Sequence, residues 1–205
     1  MSFLTFLFAA VMLAITPGPG IAYVVARTVA GGRSEGLASC LGTGLGGLVH
    51  VAAASLGLSM LIAQSAWAFN LVKYAGAAYL VYLGLLILFR RQTTDTQHNV
   101  RSQGAKRAFF EGILVEALNV KTALFFLAFL PQFVNADSPV AVQLIILGCI
   151  CVVLNTLVDV LAVLGTGKFL ESNVAQASRA RILNYISGCT MVALGAFLAT
   201  VRRID

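Results

Sequence analysis

Apolar residues run along this chain in blocks too long for the strands or helices of a water-soluble core. Residues 2–26 carry no formal charge, and neither do residues 37–63, where His50 is the one ionisable nitrogen. Residues 66–89 are interrupted by Lys73 alone, near enough to one end to snorkel toward water. Residues 108–133 contain Glu111, Glu116 and Lys121 in an otherwise apolar run, residues 138–167 hold the single charge Asp159, and residues 182–201 hold none. A helix needs about 20 mostly apolar residues to cross the hydrocarbon core. The pattern predicts an all-α polytopic membrane protein with six transmembrane helices. The first run reads as a transmembrane helix and not as a signal peptide, because no Lys or Arg precedes Arg27 and five more runs follow.

Composition agrees with the pattern. The chain has 205 residues, 59% of them apolar and 11% charged, against about 25% charged in a soluble domain. That excludes a soluble enzyme, a disordered chain and a nucleic-acid-binding domain. The net charge of +6 needs no nucleic acid, since cytoplasmic loops retain Lys and Arg. With six spans, Arg27, Arg33, Arg90, Arg91, Arg101, Lys106, Arg107, Lys168, Arg179 and Arg181 share one side, opposite Arg202 and Arg203. The positive-inside rule puts that side in the cytoplasm and both termini outside.

The two halves resemble each other weakly. An offset of 111 aligns Tyr74 with Tyr185, Gly84 with Gly195 and Arg91 with Arg202, and an offset of 103 aligns Phe6 with Phe109, Ala14 with Ala117 and Thr16 with Asn119. Three spans is an odd number, so the halves would have opposite orientations, the inverted-repeat plan of many secondary transporters. This divides one membrane domain into a first repeat over 1–89, a cytoplasmic connection over 90–107 and a second repeat over 108–205.

Thr16-Pro17-Gly18-Pro19-Gly20 lies deep in the first apolar run. Pro17 and Pro19 supply no amide proton, so helical carbonyls lose their partners. Such an interruption must face protein or a water-filled cavity. Thr16 before Pro17 has the cap-then-proline order that starts a helix, whose free amides would suit a carboxylate. A proline kink that only shapes packing is the plainer alternative. In the second half Asn119 could cap a half-helix in the same way, with a softer break because Val120 keeps its amide.

An ionisable side chain in the membrane core is usually buried, paired and functional. Asp159 could carry a coupling proton or bind an ammonium group, or be a structural partner of a hydroxyl or of Lys121. Glu116 and Asn119, three apart, share a helix face. Glu116 and Lys121, about 140° apart around a helix, do not. Glu111 reads as interfacial, paired with Lys106 or Arg107. His50 reads as a hydrogen-bonded structural residue before it reads as a proton relay. Gly42 to Gly46 is a GxxxG that permits close packing, within the monomer ahead of a homodimer contact. Tyr74 reads as a headgroup anchor, while Tyr79 and Tyr82 either line a cavity or pack. No metal-ligand cluster, cofactor motif or nucleotide-binding G-x-x-x-x-G-K-[ST] occurs.

Taken in order, Thr16-Pro17-Gly18-Pro19, Gly32-Arg33 with Gly36, Lys73-Tyr74-Ala75-Gly76-Ala77-Ala78-Tyr79-Leu80 with Gly84, Asn119-Val120-Lys121 with Phe125-Phe126, and Leu130-Pro131-Gln132-Phe133 resemble the LysE/RhtB family of amino-acid exporters. The family's usual Asn-Pro-Lys is Asn119-Val120-Lys121 here. The resemblance implies a six-span inner-membrane protein that exports amino acids or close derivatives using the proton gradient. It would not be an enzyme, and its partners would be a small-molecule amino acid, protons and membrane lipid.

On this reading the substrate carboxylate would meet Thr16, Pro17, Gly18, Pro19 and Gly20, with Asn119 and Lys121. Proton coupling would fall to Asp159, Glu116 or His50. The alternative from another class is a membrane thiol–disulfide carrier built on Cys40, Cys149, Cys151 and Cys189. Cys149 and Cys151 are about 200° apart on one helix and cannot easily pair with each other.

Overall fold

A computed structural model of the chain describes residues 2–58, 66–89, 101–135, 137–169 and 173–200. His98, Arg90, Arg91, Arg202 and Arg203, and with them the Arg91–Arg202 match, lie outside the described residues. All regular elements among the described residues are helical. In chain order they are α1 (Phe3–Ile15), α2 (Pro19–Ala53) with a π-helical turn Ala54–Leu58, α3 (Ala66–Phe89), α4 (Ala105–Ala117), α5 (Val120–Leu124), α6 (Val140–Phe169) and α7 (Asn173–Thr200). Helix α5 continues through a π turn at Phe125–Phe129 and a 3₁₀ turn at Leu130–Phe133. By length and apolar composition Pro19–Gly57 and Val140–Thr166 can cross a membrane. Ala105–Ala117 with Val120–Phe133, bent by 41°, makes a third candidate.

Helix α2 is not one straight rod. At Gly32 the backbone takes φ 73° and ψ −170°, a region glycine enters without a Cβ clash. A methyl group added at Gly20 would stand 2.6 Å from Glu116 Oε2, and one at Gly46 would stand 2.9 Å from Glu116 Cβ. Along a continuous helix those two glycines would be about 39 Å apart. The chain therefore doubles back at Gly32, and its arms 19–31 and 33–53 lie along α4. On the first arm the Tyr23 hydroxyl donates to Ala108 O at 3.0 Å. On the second, Gly42 meets the Phe109 carbonyl and Gly46 the Ile113 carbonyl. The GxxxG is thus used within the chain, against α4. The loop expected around Arg27 and Arg33 is instead a reversal at one glycine between two helical arms.

Helices α3 and α7 pack through a second pair of close approaches. A methyl at Gly84 would stand 2.7 Å from Gly188 O and 2.8 Å from Val192 N, and one at Gly195 would stand 2.7 Å from Ala77 O and 3.0 Å from Val81 N. Adding 111 to 77, 81 and 84 gives 188, 192 and 195, so exchanging the two helices turns one contact into the other. Numbers rise on one helix as they fall on the other, which makes the pair antiparallel.

The buried core joins Phe6 and Leu13 of α1, Leu80 of α3, Phe125 and Phe129, Leu144 of α6 and Leu198 of α7. Phe125 stacks on Phe129 with ring centroids 4.9 Å apart. Large apolar side chains also cover the outside: Phe8 and Leu161 are each 67% exposed. So broad an apolar exterior belongs in a nonpolar surround. Lys73, expected to reach outward, is buried, with its ammonium 4.7 Å from the Tyr74 ring centroid. Its helix position places it toward the protein interior, so span-end proximity alone misleads. Tyr79 and Tyr82 are exposed with their rings 6.0 Å apart.

Candidate functional site

Two chain breaks meet in the interior. Helix α1 stops at Ile15, and Thr16 turns to extended backbone (φ −71°, ψ 113°), the conformation that a following proline enforces. The Thr16 hydroxyl folds back to donate to Met12 O at 2.6 Å. Thr16 therefore closes α1 rather than starting α2, whose N-cap is Gly18 with Pro19 in the first turn. Proline at that point loses nothing, because the first amides of a helix have no intrahelical partner.

The second break follows Ala117. Asn119 (φ −73°, ψ 101°) starts α5, and its side chain accepts from Lys121 N at 3.1 Å. One turn back, the Glu116 carboxylate accepts from Asn119 Nδ2 at 2.9 Å and from the Thr122 hydroxyl at 2.6 Å. Glu116 and Asn119 do share a face. Those bonds hold the carboxylate beside Gly20 at the start of α2, where the helix dipole favours negative charge.

Lys121 fills the first break from the second half. Its ammonium donates to Leu13 O at 3.2 Å and to Thr16 O at 2.8 Å. Two carbonyls at the end of α1 are thus bonded by a cation from across the molecule, Leu13 O also accepting from Thr16 N at 3.2 Å, and the lysine stem lies against Gly18. Instead of bare donors, the interior presents an internal carboxylate at one break and an ammonium at the other.

Asp159 of α6 is buried and faces α2. The Thr43 hydroxyl oxygen lies 2.9 Å from Asp159 Oδ2 and 3.0 Å from Cys40 O. A hydroxyl has one proton, so it can satisfy only one of these acceptors at a time. Among the described residues the ion pairs are Arg27–Glu35, Arg27–Glu111 and Arg107–Glu111, so no described cation lies within 4.0 Å of Asp159. Leaving an ionised carboxylate buried with so little compensation costs several kcal/mol.

Gly20, Thr43, Gly44, Gly47, Glu116, Asn119, Lys121, Asn155, Thr156 and Asp159 line one cavity of about 410 Å³, counting its open mouth. It has room for about one or two waters. The cavity brings together Gly20, Asn119, Lys121, Glu116 and Asp159. Thr16, Pro17, Gly18 and Pro19 lie behind Lys121 and do not line it. His50 is outside it too: its Nε2 is 2.8 Å from Glu116 O and, since a carbonyl only accepts, donates there. Glu111 stands apart, bonded to Arg107 Nε at 2.7 Å. Sequence reasoning missed Thr43, Thr122, Asn155 and Thr156. The last two sit one helical turn before Asp159, and shared-face spacing could have found them.

The four cysteines are free, and nothing supports the thiol–disulfide alternative. Among the described residues no group of three His, Cys, Asp or Glu could hold a metal ion.

Comparison with known proteins finds relatives along nearly the whole chain. The chain is 30% identical to the homoserine/homoserine lactone efflux protein of Salmonella typhimurium, covering 96% of this chain and 95% of that one. It is 30% identical to the leucine efflux protein of Klebsiella pneumoniae over 98% and 96% of the two chains. It is also 34% identical to the uncharacterized membrane protein YrhP of Bacillus subtilis over 76% and 79%. No solved structure matches. The family model for the LysE type translocator matches residues 11–202, nearly the whole chain. With broken helices facing an internal polar cavity, a lipid-compatible exterior and that match, the chain belongs to the LysE type translocator family, whose members are transporters and not enzymes.

Proposed function

We propose that this protein is a proton-coupled exporter of amino acids or close derivatives across the inner membrane, with its substrate site in the cavity between the two helix breaks. The substrate ammonium binds Asp159, and its carboxylate binds Lys121. The observation that carries the reading is the Thr43 hydroxyl between two acceptors. One further positive charge at Asp159, either a proton or an ammonium, completes that arrangement. A carboxylate that takes one or the other, and not both, exchanges substrate for proton, which is what antiport requires. The relatives' efflux of homoserine and leucine supports an α-amino acid as the passenger.

The architecture we infer is six spans as two inverted three-helix repeats, 1–89 and 108–205, joined by a cytoplasmic connection. Three observations support it. The Gly84 and Gly195 contacts are related by an offset of 111. Each half opens on a span broken near its middle. Residues 27–35 and 101–104 meet, which fits both lying on one side of the membrane. Alternating access is then relative motion of the halves about the cavity.

The test is export from proteoliposomes loaded with a panel of labelled amino acids, with and without an imposed pH gradient. Gradient-driven efflux of at least one α-amino acid is the expected result. Efflux of none, or efflux indifferent to the gradient, contradicts the reading.

A further inference from the structure

Away from the cavity, at the Gly32 reversal, a second charged cluster is buried that the transport site does not use. The Glu35 carboxylate accepts from the Ser102 hydroxyl at 2.6 Å, from Gln103 N at 3.0 Å and from Gly104 N at 2.8 Å. Arg27 on the other arm lies 3.6 Å from Glu35 Oε2 and 4.0 Å from Glu111 Oε2, and donates to Arg101 O at 3.3 Å. Tyr23 places its ring under the Arg27 guanidinium, 5.6 Å away, and its hydroxyl, shared between Ala108 O and Glu111, lies 3.2 Å from Glu111 Oε2. Gly31 has no side chain because the Glu35 carboxyl lies against it.

These bonds tie the tip of the α2 hairpin, in the first half of the chain, to the segment that leads into α4, in the second. The same two arms and α4 line the cavity further along, at Gly20, Thr43 and Glu116. The cluster is buried yet incompletely bonded: Arg27 Nε and Glu35 Oε2 have no hydrogen-bond partner. A buried ion pair of this kind adds little net stability, and water reaching it would complete its bonds.

We propose that Arg27 and Glu35 with residues 101–104 form a latch that keeps the cavity closed on the side of the Gly32 reversal and releases when the cavity opens to that side. The proposal rests on the transport reading for its purpose, and on the cluster alone for its geometry. Glu35→Gln removes the charge that Arg27 faces, and Ser102→Ala removes one bond to the carboxylate. Both act at a distance from the cavity.

The experiment places a thiol in the cavity by Thr156→Cys and measures its modification by a membrane-impermeant cationic methanethiosulfonate, read at that peptide by mass. It is run in vesicles of each orientation. Glu35→Gln is expected to speed modification from the reversal side by about fivefold and Ser102→Ala by about twofold, with no gain from the opposite side. Unchanged rates, or equal acceleration from both sides, would overturn the latch. Should Glu35→Gln fail to assemble, Ser102→Ala decides alone. A one-sided effect in a chain that transports no amino acid keeps the latch and removes the transport reading.

Discussion

Thr43 and Asp159 hold α2 to α6 through one hydroxyl, 2.9 Å from the carboxylate, which the same residue also turns toward Cys40 O. Replacing Thr43 by Val keeps the shape and deletes the proton donor. The Asp159 carboxylate then has no described hydrogen-bond partner, and the substitution should cost about 1–3 kcal/mol. Thr43→Ser keeps the donor and should transport at close to the parent rate. Thermal unfolding in detergent with vesicle efflux separates the two. Equal loss in both variants would remove the hydroxyl from the account.

Lys121 should be indispensable for a different reason. Lys121→Met leaves the Leu13 and Thr16 carbonyls without their cationic donor in a dry interior. Leu13 O keeps the Thr16 amide at 3.2 Å, but Thr16 O is left without a described donor at a cost of about 1–3 kcal/mol, and transport should be lost with the stability. A chain carrying Met there that keeps its thermal midpoint would show that the first break does not depend on the second half.

Val120 is the first residue of α5, and Asn119 before it is extended, as a residue preceding proline must be. Proline is tolerated at that first helical position. Val120→Pro, which restores the family's Asn-Pro-Lys, should therefore change stability by only about 0.5 kcal/mol and leave transport intact. A loss comparable to that of a proline in a helix interior, about 3 kcal/mol, would contradict this placement of the helix start.

Gly84 and Gly195 predict a matched pair of defects. A methyl at either meets a backbone carbonyl at 2.7 Å, and backbone cannot swing aside. Gly84→Ala and Gly195→Ala should each destabilise by about 1–3 kcal/mol and by similar amounts. A large cost in one and none in the other would break the symmetry of the α3–α7 contact.

How much of this could be read from the chain follows from how far each signal reaches. The Asn119 cap and the Glu116–Asn119 face are local, set by spacing within one turn, and the sequence shows both. The 111 offset is legible because the two glycines must clear the same backbone atoms. Thr16 misled because proline leaves two readings open, a helix that ends or one that starts, and Met12 O was the nearer acceptor. Glu35 left no local trace: its partners lie at 102–104, and only the reversal at Gly32 brings them within reach. The Lys121 contact with Leu13 and Thr16 spans the two halves in the same way.

The most direct test of the central claim is gradient-driven transport by Asp159→Asn, which keeps the Thr43 contact but can neither hold a proton as an acid nor pair with an ammonium. In proteoliposomes with an imposed pH gradient, the parent chain should drive labelled leucine or homoserine against its concentration. The variant, with an unchanged thermal midpoint, should be slower by at least about tenfold, 1.4 kcal/mol in the barrier. A variant that moves the same substrate at the parent rate under the same gradient would contradict the claim that Asp159 is where proton and substrate exchange.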